Sequence, residues 1–184
     1  MNKIKIVKGD ATNPVIERGP IAVIPHVCNI NGGWGKGFVL ALSKKWKKPE
    51  QQYRKWSEYG EENNFKLGEI DPIFVEKEIV VVNMLAQDGF LSEENPVPIN
   101  YTALVHCMES LVDWIGKFQQ FNQFHPKCSI HAPFFGCGLA GGNKEVILKL
   151  IDEIWIRAGI PVTMYEWEEN KSTSISTEIK FIEK

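Results

Sequence analysis

Apolar and polar positions along the chain fall into short runs early and into longer helical spacings later. Ile4 and Ile6 alternate with Lys3 and Lys5, which predicts an opening strand with one covered face. The nearly unbroken apolar run Ile21-Ala22-Val23-Ile24-Pro25-His26-Val27 predicts a strand buried on both faces. Between the two, Gly9-Asp10-Ala11-Thr12-Asn13-Pro14 is dense in turn formers. After Gly37 the residues Phe38, Leu40, Ala41, Leu42 and Trp46 fit a helical period, and Pro49 reads as its stop. Residues 69–75 and 78–85 read as two strands joined in a hairpin at Glu76-Lys77. From Tyr101 to Phe118, Leu104, Val105, Met108, Leu111, Val112 and Ile115 recur at helical spacing. A strand over 128–135, a glycine loop, a helix with Val146, Ile147, Leu150, Ile151 and Ile154 on its apolar face, and a strand over 161–167 complete the pattern.

Strands that alternate with helices across short loops predict an α/β fold, a sheet with helices on both faces. One domain is expected over residues 1–168. Residues 169–184 are polar and rich in serine and threonine, and read as a tail or one added edge strand.

Composition narrows the function classes. The 184 residues are 43% hydrophobic and 24% charged, which excludes wholesale disorder and a coiled coil. With 21 Lys+Arg against 23 Asp+Glu, the net charge of −2 lacks the basic excess of strong sequence-independent DNA binding. No apolar run nears the length of about 20 residues that spans a bilayer, and the opening residues are too alternating for a secretory signal, so a cytoplasmic protein without a membrane role is expected. Cys28, Cys107, Cys128 and Cys137 form no C-x-x-C pair and read as reduced thiols. His26, His106, His125 and His131 lack H-x-x-x-H spacing, so neither a metal site nor a cofactor is implied.

Two glycine loops, each after a strand and before a helix, carry the chemistry: Asn29-Ile30-Asn31-Gly32-Gly33-Trp34-Gly35-Lys36-Gly37 and Gly136-Cys137-Gly138-Leu139-Ala140-Gly141-Gly142. Without Cβ atoms, successive backbone N–H groups can converge on an anion while a helix N-terminus adds partial positive charge. In an open α/β sheet such loops line the crevice at the carboxyl ends of the strands, so both can face one pyrophosphate. The first is no Walker A motif, because Gly37 stands where Ser or Thr would follow Lys36. The second matches G-x-G-x-x-G at Gly136, Gly138 and Gly141, with Glu166 downstream, but the chain after it is too short for a dinucleotide fold and a substrate domain.

Five segments in order resemble the macrodomain family of ADP-ribose-binding proteins. They are Val7-Lys8-Gly9-Asp10-Ala11-Thr12; His26-Val27-Cys28-Asn29 with Gly33-Trp34-Gly35-Lys36-Gly37; Asn83-Met84-Leu85-Ala86-Gln87-Asp88-Gly89; Ile99-Asn100-Tyr101-Thr102-Ala103-Leu104; and the second glycine loop. The H-x-C-N form is similar to the branch holding ADP-ribose 1″-phosphate phosphatases and terminal ADP-ribose glycohydrolases. The resemblance implies a three-layer α/β/α fold with a mixed central sheet. It implies hydrolysis of an ADP-ribose derivative, either loss of the 1″-phosphate or release of ADP-ribose from a modified protein or nucleic acid. The alternative is a non-catalytic ADP-ribose reader.

Carried over by position, the resemblance puts Asp10, with Ala11 beside it, at the adenine amino group, although a turn cap is an equal use of that carboxylate. Asn29 would hold the distal ribose hydroxyls, or close an Asx turn. Gly33, Gly35 and Gly37 with Gly136, Cys137, Gly138, Leu139, Ala140, Gly141 and Gly142 would wrap the diphosphate. Trp34 would wall the ribose or simply pack. His26 could polarise a water or phosphate oxygen, or be structural; Lys36 could balance phosphate charge, or be solvated; Gln87 and Tyr101 belong near the rim. Cys28, beside His26, could form a nucleophile pair with it. Glycohydrolases of the related branch place an aspartate where this chain has Ala140, which removes a carboxylate typically worth about 10² to 10⁴ in rate and argues against a lysine–aspartate mechanism.

Overall fold

The computed structural model describes residues 3–16, 21–122 and 127–167. Six strands form one sheet: β1 (Lys5–Lys8), β2 (Ile21–Asn29), β3 (Ile70–Glu76), β4 (Ile79–Gln87), β5 (Cys128–Pro133) and β6 (Val162–Glu166). The order is β1-β6-β5-β2-β4-β3; β3 alone runs antiparallel to its neighbour, and the remaining pairs are parallel. The helices are α1 (Phe38–Lys45), α2 (Lys48–Tyr59), α3 (Tyr101–Phe121) and α4 (Lys144–Ile151). This is the expected α/β architecture, three layers with a mixed sheet in the middle.

Side chains alternate across the sheet and so divide the core in two. Val23, Val80, Val82, Met84, Ile130 and Met164 pack under Leu104, Met108 and Leu111 of α3 and Ile147 and Ile151 of α4. On the opposite face, Ala22, Ile24, Val81 and Leu85 meet Leu42 of α1 and Tyr53 of α2. A π-helical turn, Asp152–Ile156, continues α4 and buries Trp155, whose Nε1 donates to the Met108 carbonyl at 3.1 Å.

The sequence pattern does not predict helix α2. Most of its residues are charged or polar, and Tyr53 and Trp56 are the side chains it packs into the core, so its apolar period is faint. The preceding helix does end, at Lys45, but Pro49 opens the next one, in the first turn, where a missing N–H costs nothing. The expected tail at 169–184 and His125 lie outside the described residues. Among the described residues no helix is long and apolar enough to cross a membrane. Cys28, Cys107 and Cys128 are buried, Cys137 is half-buried, and none of the four is in a disulfide.

Candidate functional site

The neighbouring parallel strands β2 and β5 feed helices on opposite faces, α1 on one and α4 on the other. Connections that diverge in this way open a crevice at the carboxyl ends of the strands. A cleft of about 690 Å³ occupies that place, and both glycine loops line it. The strand ends Asn29, Gln87 and Pro133 form part of its floor. Gly37 and Leu139 nearly touch across it: a Cβ on Gly37 would lie 3.4 Å from Leu139 Cδ1.

The first loop is braced by side chains. Asn29 Oδ1 accepts from the backbone N–H of Asn31 (2.8 Å) and Gly33 (3.1 Å), while its Nδ2 donates to the Gly33 carbonyl (3.0 Å). Tyr53 Oη reaches up from α2 and donates to the Asn29 carbonyl at 2.6 Å. Trp34 is buried, with Nε1 donating to Ser43 Oγ (2.7 Å), and Ser43 donates in turn to Glu50 Oε2 (2.6 Å). Those bonds from Ser43, and then from Arg54, hold the Glu50 carboxyl below its ordinary pKa.

The second loop is braced by its own backbone. Gly142 N–H donates to the Gly136 carbonyl (2.7 Å), Gly141 N–H to the Gly138 carbonyl (2.9 Å), and Ile99 N–H to the Ala140 carbonyl (3.0 Å). At Gly141 φ is +65°, and a Cβ there would stand 2.4 Å from the Pro96 carbonyl oxygen. Asn143 caps α4 by accepting from the N–H groups of Glu145 and Val146. Tyr101 Oη accepts from Asn143 N–H at 2.7 Å, so it supports this loop from beneath.

Residues 88–98 tie the two loops together. Gly89 N–H donates to Asn31 Oδ1 (3.0 Å), and the Phe90 ring lies on Gly33, 2.8 Å from where its Cβ would be. At the other end, Pro96 and Val97 pack on Gly141.

The floor of the cleft contains His26, which is 2% exposed. Its Nε2 lies 2.7 Å from Asn83 Oδ1, and its ring meets Trp34 and Phe38 edge-on. Burial lowers its pKa to about 4, outweighing the opposite pull of Asn83 and the Val27 backbone, so it is neutral at physiological pH. Burial likewise pushes the Cys28 thiol well above its ordinary pKa. Cys28 Sγ lies 3.7 Å from His26 Nδ1 and 3.9 Å from Nε2, long contacts to a thiol that burial keeps protonated rather than an activated thiolate.

Of the residues singled out in the sequence, His26, Asn29, Gly33, Trp34, Gly35, Lys36, Gly37, Gln87, Gly136, Gly138, Leu139 and Ala140 meet in this one cleft. Lys36 is exposed at the rim and makes no hydrogen bond or ion pair among the described residues. Gln87 Nε2 donates to the Gly89 carbonyl at 2.9 Å. Cys137, Gly141 and Gly142 support the second loop from outside the lining. Asp10 and Ala11 lie past the end of β1, two strands further along the same edge of the sheet from β5. There Asp10 Oδ1 accepts from Thr12 N–H at 2.8 Å, a turn cap. Glu166 pairs with Lys144 at 2.9 Å.

Gly35 and Gly138 stand apart from the other loop glycines. Neither has positive φ, and a Cβ on either would meet nothing within 4 Å. The fold itself leaves room for a side chain at both positions. Phe90, Leu91 and Phe134 in the lining belong to no motif in the sequence, and Asn83, which opens one of the five resembling segments without a role of its own, lies buried beside His26. The aromatics sit directly after Gly89 and Pro133, at the mouths of two strands, and that position is the signal by which they can be found.

No family model matches the chain. It is similar to an ADP-ribose 1″-phosphate phosphatase from Lodderomyces elongisporus, 34% identical over 156 residues, covering 82% of this chain and 94% of that one. A Candida albicans protein of the same name is 27% identical over 142 residues, covering 75% and 85%. Among solved structures, a macrodomain protein from Streptomyces coelicolor superposes with a TM-score of 0.74 at 38% identity, covering 89% of this chain and 99% of that one.

Proposed function

The chain belongs to the macrodomain family, and from that premise we propose that it binds ADP-ribose in the cleft and hydrolyses the phosphate from ADP-ribose 1″-phosphate. The observation that carries this reading is the pair Gly35 and Gly138, left side-chain-free on facing loops where the fold itself has room for a side chain. Their backbone N–H groups suit a diphosphate between the loops, with Lys36 adding charge at the rim. Asn29 has a second Nδ2 hydrogen for the distal ribose, and Asp10 is the acceptor for the adenine amino group further along the strand ends. Phosphoryl transfer to water draws mainly on positioning and on donors aimed at the phosphoryl oxygens, which such loops supply. The named activity of the two phosphatase relatives supports this substrate. Free thiols support a reducing, cytoplasmic setting.

The test is phosphate release from ADP-ribose 1″-phosphate by the purified protein, alongside calorimetric titration with ADP-ribose. Turnover together with binding is expected. Binding without turnover on this substrate, or on ADP-ribosylated protein and nucleic-acid ends, establishes the second reading, a non-catalytic reader. That reading has its own observation: among the described residues no carboxylate lines the cleft, and Ala140 is buried.

A further inference from the structure

A fully buried amide in the middle of an otherwise apolar strand asks for a reason. Asn83 is 0% exposed on β4, whose other residues facing α1 and α2 are Ile79, Val81 and Leu85. A buried polar side chain is costly unless every group is used. Asn83 Nδ2 donates to the Pro49 carbonyl at 3.3 Å, which fixes the amide's orientation and leaves Oδ1 toward His26 Nε2 at 2.7 Å. An oxygen there can only accept, so at 2.7 Å it draws the proton of the neutral imidazole to Nε2, against the weaker pull of the Val27 backbone. Nδ1 then keeps its lone pair, which the Cys28 thiol at 3.7 Å can meet in the unliganded protein, with the cleft beside it.

We propose that Asn83 is a positioning residue for the reaction: it holds His26 in the Nε2–H tautomer, so that His26 serves the ligand as a hydrogen-bond acceptor through Nδ1. The proposal rests on hydrolysis in the cleft for its kinetic part only. An acceptor suits a ligand hydroxyl or the attacking water, both of which bring protons, and it keeps an imidazolium from the floor beneath the diphosphate. The titratable groups on the elements around His26 are Cys28 on β2 itself, Tyr53 on α2, whose ring meets Trp34, and Asp71 on β3, in register with Asn83. Burial raises the pKa of all three, so none is an additional cation and none takes the tautomer-setting place of Asn83.

Nitrogen-15 NMR of the histidine rings in the unliganded wild type decides the tautomer without any activity measurement. An Nε2–H signature for His26, with the Nδ1 resonance shifting on addition of ADP-ribose, is expected. An Nδ1–H signature overturns the proposal. In Asn83→Asp a carboxylate replaces the amide oxygen and stabilises imidazolium, so the His26 titration should rise by at least about one unit. The acid limb of the kcat profile for phosphate release should then move up in pH with the His26 titration, about tenfold less turnover at pH 4 for a one-unit rise, with KM nearly unchanged. A His26 titration unmoved in Asn83→Asp also overturns it. If wild-type protein releases no phosphate, the hydrolase reading fails while the tautomer and its response to ADP-ribose still decide this one.

Discussion

The two walls of the cleft are built by opposite means. The wall after β2 is held by side chains: Asn29, Tyr53 and the relay Trp34–Ser43–Glu50 reach in from the strand and from both helices of one layer. The wall after β5 is held by main-chain bonds and by the absence of Cβ atoms, with Gly136 and Gly141 at positive φ, and a Cβ on Gly142 would lie 2.5 Å from the Gly136 carbonyl oxygen. The glycines themselves divide alike: Gly32, Gly33 and Gly37 in the first loop and Gly136, Gly141 and Gly142 in the second answer to positive φ or a near contact, while Gly35 and Gly138 are spare to the fold and open to the cleft.

That contrast can be broken most severely at Gly141. Gly141→Val forces a branched side chain into positive φ against the Pro96 carbonyl and should destabilise the protein by about 4 kcal/mol or more in urea unfolding. An unchanged midpoint would show that the second wall does not depend on close backbone packing. Gly138→Val, three residues away, should leave stability within about 0.5 kcal/mol while reducing ADP-ribose affinity at least about 100-fold by calorimetry. Retained affinity would remove Gly138 from the cradle.

The smallest effect comes from acid. His26 has its pKa lowered to about 4 from 6.5, so the unfolded chain binds the proton more tightly than the folded one. Its contribution is fully present above pH 6.5 and is lost as the pH falls toward 4. Between pH 7.5 and pH 5 this amounts to about 2 kcal/mol, measured as the change in unfolding free energy. His131, on the strand that leads to the second wall, has its pKa lowered to about 4 by burial and then by Lys5, and acts in the same direction. The variant His26→Gln should flatten only the first wall's share of the pH dependence, and an undiminished slope would place the whole effect elsewhere.

Both glycine loops, the hairpin of β3 and β4, and helix α3 are legible in the sequence because each has a strong local signal. Glycine clusters mark turns, and six apolar residues at helical spacing mark α3. Helix α2 is not legible, because its stability comes from Tyr53 inserted beneath Asn29 and from Trp56 against Phe65, contacts that form only after folding. The facing of the two loops follows from the rule for strand ends, whereas the division of labour among their glycines does not. Positive φ and near contacts with Pro96, Ile99 or Phe90 depend on segments distant in sequence. Asn83 opens one of the resembling segments, but its partner is hidden, since a lone asparagine in an apolar run gives no hint that a histidine from a neighbouring strand will meet it.

Residues 88–98 carry a consequence for how this architecture can change. Their Gly89 end is hydrogen-bonded to one wall and their Pro96 end wedged against the other, so the gap between the walls is gauged by a separate piece of chain. A length change in either wall has to be matched there. The three stretches, though scattered along the chain, are joined as one part, and exchanging a single wall exchanges a fragment of a caliper.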